Sequence, residues 1–184
     1  MIMEKTVPIP DNVQIEVKGL QVTVKGNGEL SRDFADPRLN GLIKIEKKDS
    51  MIHVSDSGDS RKVGANVGTI AAHIKNMILG VTAGFKYTMK IMYTHFPLTV
   101  SVSDDEIQIK NFFGEKGSRT AGIVGKTEVK VDKEHIILTG ASVEDVGQTA
   151  ANIERACKLT GRDRRIFQDG IFLTDRQLKT GEKV

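Results

Sequence analysis

Residues 67–74 read VGTIAAHI, and residues 146–153 read VGQTAANI. Val67, Gly68, Ala71, Ala72 and Ile74 recur as Val146, Gly147, Ala150, Ala151 and Ile153 at one common offset. Around the first copy, Val67, Ile70, Ala71, Ile74, Met77 and Ile78 keep a spacing near 3.6 residues. This predicts a helix from about 60 to 79 with one apolar face, stopped by Gly80. Around the second, Val146, Thr149, Ala150, Ile153 and Cys157 make the same face. Ser142 and Asp145 open that helix in capping-box fashion, with Glu144 and Asp145 at its positive end and Arg155 and Lys158 near its negative end. A motif that recurs once, each time after a run of short strands, means two similar units rather than a many-unit solenoid.

The strands read outward from these helices. Val13, Ile15 and Val17 alternate with polar neighbours, Gly19-Leu20-Gln21 turns, and Val22-Thr23-Val24 returns. Ile43-Lys44-Ile45 and Met51-Ile52-His53-Val54 follow. The second copy opens with a long strand from Phe85 to Phe96, broken by Pro97. Leu98-to-Val102, Ile107-Gln108-Ile109, Val129-Lys130-Val131 and Ile136-Ile137-Leu138 then repeat the order. The fold class is therefore α+β: two tandem duplicated domains, residues 1–82 and 83–184, each a small, mostly antiparallel sheet packed against one helix. Residues 176–184 are polar and are expected to fray.

Composition narrows the function classes. In 184 residues the hydrophobic fraction is 39%, low for one large core and adequate for two small ones. The net charge of +3 permits an acidic partner without demanding one. A single cysteine, Cys157, excludes an intramolecular disulfide and suits a reducing compartment. Neither a signal-peptide core nor a membrane-length apolar run is legible, so a cytoplasmic protein is expected.

Reactive constellations are scarce. His53, His73, His95 and His135 lack metal-ligand spacing, so no metal is expected. Cys157 on the apolar helical face reads as a buried thiol. Asp104-Asp105-Glu106 reads as a solvated hairpin turn; a hydrolase would need a histidine brought to it. Gly114-Glu115-Lys116-Gly117 matches a GxxG loop in letters, but follows a strand instead of joining two helices. Two tracts remain. Residues 110–119 mix Lys110, Asn111, Lys116 and Arg119 with two Phe and two Gly, a pattern equally suited to a core-folded loop and to a nucleic-acid contact. Residues 155–165 carry Arg155, Lys158, Arg162, Arg164 and Arg165 against Asp163 alone, and arginine's fork suits phosphate.

At this second tract the wording becomes specific. GQTAANIE at 147–154 followed by GRDRRIFQDGI at 161–171 resembles the universal large-subunit ribosomal protein six family. So do AHIKNMILGVTAGFKYTMKIMYTHFP at 72–97 and NFFGEK at 111–116, and YTHFP resembles the archaeal and eukaryotic branch. The resemblance spans nearly the whole chain. It implies a non-catalytic constituent of the large ribosomal subunit without cofactor, membrane or small-molecule substrate. Its partners would be large-subunit ribosomal RNA, neighbouring large-subunit proteins and, nearby, translational GTPases. The rRNA site implied lies near the sarcin–ricin loop and stalk base, and the C-terminal domain chiefly binds it. On this reading Lys110, Asn111, Lys116 and Arg119 form one contact patch, less basic than relatives can be. Arg155, Lys158, Arg162, Arg164 and Arg165 neutralise phosphates, Gln168 and Asp169 hydrogen-bond sugars or bases, and Gly170 admits close backbone approach. The alternative is a module that binds protein alone, through sheet edges or faces.

Overall fold

In the computed structural model, residues 4–37, 41–57, 61–94, 96–163 and 165–183 are described. They fall into two compact units, Met1–Thr82 and Ala83–Val184. The first unit runs β1 (Glu4–Pro8), β2 (Gln14–Lys18), β3 (Gln21–Lys25), β4 (Glu29–Asp33), β5 (Ile43–Lys48), β6 (Met51–Asp56) and α1 (Arg61–Thr82). Its strands form two antiparallel sheets, ordered β1-β6-β5 and β2-β3-β4. Val67, Ile70, Ala71 and Ile74 are buried against Val7, Val22, Ile52 and Val54 in one core.

The second unit repeats this order. β7 (Phe85–Met92), β8 (Thr99–Val102), β9 (Glu106–Lys110), a 3-10 turn (Phe112–Gly114), β10 (Arg119–Gly122), β11 (Glu128–Asp132), β12 (His135–Gly140) and α2 (Val143–Ala156) lead to β13 (Gly170–Leu178). The sheets are β10-β9-β8 and β11-β12-β7-β13. The order β5-β6-β1 thus returns as β11-β12-β7, with β13 added beyond β7. Val146, Thr149, Ala150 and Ile153 are the buried side of α2. The Ser142 hydroxyl accepts the Asp145 backbone N–H at 3.2 Å, and so caps one of the orphan donors of that helix.

Each unit therefore holds two sheets and one helix, where the pattern of apolar residues suggested one sheet. Gly80 does not stop α1. Val81 is 1% exposed, and burying this last turn outweighs the roughly 1 kcal/mol cost of an interior glycine. The chain turns instead at Gly84, whose φ of +71° glycine adopts without strain. β7 ends at Met92, four residues short of Phe96, and the Thr94 N–H leaves the ladder for the Asp169 carboxylate at 3.1 Å. Residues 176–178 are not frayed: they continue β13 against β7.

Candidate nucleic-acid interface

The two basic tracts, separate in sequence, meet in space. The hinge is Arg119 at the start of β10. Its Nη1 donates to the Ala156 and Lys158 carbonyls at 2.8 and 3.2 Å, closing the C-terminal end of α2. Its Nε and Nη2 form a fork on the Glu115 carboxylate at 2.9 and 2.6 Å. The guanidinium carbon lies 4.2 Å from the Phe112 ring centroid, a cation–π contact. These hydrogen bonds hold the Glu115 carboxyl below its usual range.

A second guanidinium extends the arrangement. Arg162 lies 5.1 Å from the Phe113 ring and 5.2 Å from Phe167. Phe113 meets Phe112 edge-on at 5.1 Å and Phe167 at 5.7 Å. The loop 111–118 is thereby fastened to the loop 157–169. The fastening bends the backbone: Asn111, Phe113 and Gly114 have φ of 60°, 53° and 72°. For a phenylalanine this conformation costs on the order of 1 kcal/mol or more, and the rings on either side hold it there.

The residues predicted to contact nucleic acid separate into two groups. Lys110, Lys116, Arg155, Lys158 and Arg165 are exposed and form no ion pair among the described residues. Gln168 is exposed too, its amide 3.5 Å from the Arg165 carbonyl. The others have partners within the unit. Arg119 is the strap just described, and the Asn111 amide donates to the Pro97 carbonyl at 3.0 Å. Arg162 lies against the Phe113 and Phe167 rings but is itself exposed. Asp169 is 3% exposed and accepts the Thr94 N–H. Gly170 is buried, and a Cβ there would sit 3.0 Å from the Phe172 ring, so its small size makes room for that ring. Arg164 and His95 lie outside the described residues.

Local acids are largely occupied. Glu115 holds Arg119, Asp163 accepts the Arg165 backbone N–H at 2.9 Å, and Glu154 accepts that of Leu173 at 3.0 Å. The surface left is positively charged. Asp104, Asp105 and Glu106 stand exposed on the β8–β9 turn. Among the described residues, no three His, Cys, Asp or Glu side chains group so as to hold a metal ion, and no helix is long and apolar enough to cross a membrane. Cys157 is buried, and burial pushes its thiol up to about 11 although Arg119 pulls it down. What the sequence did not disclose is the role of Phe112, Phe113 and Phe167 as the surface on which the guanidiniums lie. The doubled Phe beside two glycines was its only trace.

The fold and this margin define a duplicated α+β protein whose second unit presents a cationic, aromatic-backed surface. The sequence model of the family described as "Ribosomal protein L6" matches residues 9–84 and again 96–170, one match in each unit. The chain belongs to the ribosomal protein L6 family. It is similar to proteins named "Large ribosomal subunit protein uL6". With that of Desulfurococcus amylolyticus it shares 50% identity over 92% of each chain. With that of Methanothrix thermoacetophila it shares 48%, over 92% of this chain and 94% of that protein. With that of Haloquadratum walsbyi it shares 43%, over 95% and 97%. These relatives are archaeal, within the archaeal and eukaryotic branch that YTHFP resembles.

Proposed function

We propose that this chain is a structural, non-catalytic constituent of the large ribosomal subunit, working in the cytoplasm, and that its second unit binds large-subunit rRNA. The observation that carries this reading is the union of the two basic tracts into one surface. Phosphates would be met by Lys110, Lys116, Arg155, Lys158 and Arg165, with Gln168 free to reach a sugar or base. Arg119 shapes the surface from within, and Arg162, exposed over the Phe113 and Phe167 rings, lies on it. The bound region would lie near the sarcin–ricin loop and stalk base, so that the protein supports the ground on which translational GTPases dock. The first unit would orient the protein and meet neighbouring proteins.

The test is salt-dependent binding of the full chain to large-subunit rRNA. If Lys110, Lys116, Arg155, Lys158 and Arg165 each neutralise one phosphate, affinity falls roughly several-hundred-fold between about 50 and 200 mM salt. Replacing Arg155, Lys158 and Arg165 together by Ala should weaken binding and flatten the log–log slope by roughly 2 to 3. Unchanged affinity and slope in this triple variant would refute the assignment. A salt-insensitive protein that travels without large subunits on sedimentation would favour the protein-only module.

A further inference from the structure

Beside the cationic rim the second unit has a cleft of about 720 Å³ between the last turns of α2 and the beginning of β13. Ala151, Glu154, Arg155 and Lys158 line one side; Gly170, Ile171 and Phe172 line the other, with Met92 of β7. We propose that this cleft takes one unpaired nucleotide of the bound RNA, its base against Met92 and Phe172 and its phosphate toward Arg155 and Lys158. The inference rests on the reading of this margin as an rRNA-binding surface and names the structural class of RNA recognised: a loop or bulge, not a continuous duplex.

Size and polarity agree. The volume falls in the range of roughly 300–1,000 Å³ that small-molecule sites occupy, enough for a base with its sugar. Met92 and Phe172, 39% and 37% exposed, both belong to the lining and leave an apolar face open to a ligand. Phe172 lies close over Gly170, where any Cβ would crowd its ring. Cys157, also in the lining, keeps its proton at neutral pH and adds no charge. Two acids also line the cleft: Asp169 is buried and accepts the Thr94 N–H, while Glu154 is exposed and accepts that of Leu173, so the phosphate is placed on the Arg155–Lys158 side. Arg155 and Lys158 form no ion pair among the described residues. Gln168, also in the lining, offers a donor and an acceptor to a base edge. A base can enter only when unstacked, which paired RNA resists and loops permit.

The experiment uses the full chain and large-subunit rRNA, with Phe172→Ala to remove the stacking face and Ala151→Met to fill the cleft while keeping every cation. Each should bind roughly tenfold or more weakly with an unchanged salt slope. Urea unfolding at the wild-type midpoint would confirm that the fold is kept. Ultraviolet cross-linking of the wild type should join the peptide 167–173 to a nucleotide that structure probing finds unpaired. Wild-type affinity in both variants, alongside weakening by the Arg155–Lys158–Arg165 triple variant, would overturn the cleft proposal and leave the rRNA reading standing. Wild-type affinity in all of them would end both. A cross-link from 167–173 to paired RNA, or to a neighbouring protein in the assembled subunit, would also overturn it.

Discussion

Replacing Arg119 by Ala should loosen the second unit without removing a phosphate contact. Two hydrogen bonds to helix-end carbonyls disappear, and the Ala156 and Lys158 oxygens lose a charged donor. For a side chain that is still 28% exposed, these are worth about 1 kcal/mol each, at the low end for charged donors. The contact with Phe112 adds about 0.5–1 kcal/mol. The fork on Glu115, itself 43% exposed, adds about 0.5 kcal/mol or less after solvent screening. The expected loss is about 2.5–3.5 kcal/mol, or about 1–2 M in urea midpoint at an ordinary slope. The assay is simple because both tyrosines of the chain, Tyr87 and Tyr93, lie in the second unit, so tyrosine fluorescence reports that unit. Arg119→Lys should recover little, since an ammonium cannot bridge the carboxylate and two carbonyls together. The Glu115 contribution has a sign in pH. Its folded-state pKa is lowered, so its share of stability is present above the usual carboxylate value of 4.5 and is lost as pH falls through the depressed one. A midpoint unmoved in Arg119→Ala, together with a salt slope for rRNA binding reduced by nearly one unit, would refute the reasoning and make Arg119 a phosphate ligand.

Two further outcomes follow from single groups. Cys157, with its pKa raised to about 11 from 9.0, should react with iodoacetamide at pH 8 at least about a hundredfold more slowly in the folded chain than in urea; equal rates would show the thiol open to solvent. Ser142→Ala removes the cap on Asp145 and should destabilise the second unit by about 1 kcal/mol, read again by tyrosine fluorescence, whereas Ser142→Asp should restore most of it.

The helices and the eight strands of the matched hairpins were legible because their buried positions recur with a clean period. Val22 and Val24 in β3, or Ile136 and Leu138 in β12, are fully buried between exposed or half-buried neighbours. β4 and β10 were hidden because they bury so little. Leu30 is the only large apolar side chain in β4, and Ala121 is the only buried residue of β10. β13 was hidden because a register shift between Leu173 and Asp175 breaks the alternation that would have revealed it. Within the site, the basic residues could be found by charge but not sorted. Arg119 and Arg165 look alike in sequence. Only contacts from Arg119 to carbonyls 37 and 39 residues away make one a strap and leave the other exposed.

The duplication also explains why the candidate site falls in one unit. At the offset that aligns Val67 with Val146, Ile78 falls on Cys157 and Val81 on Thr160. In α1, Met77, Ile78 and Val81 are buried, so the helix continues to Thr82 to complete its apolar face. In α2 the corresponding face gives out after Cys157, and the helix ends at Ala156. The chain thus released crosses from Lys158 to Asp169 and returns as β13, an element without a counterpart among the described residues of the first unit. That crossing supplies Arg162, Arg165, Phe167 and Gln168 and forms one wall of the cleft. Loss of the last apolar turn of a helix is therefore the physical step that turns a packing element into an exposed cationic margin. Swapping residues 157–160 for the α1 sequence at 78–81 should lengthen α2 at the expense of that margin.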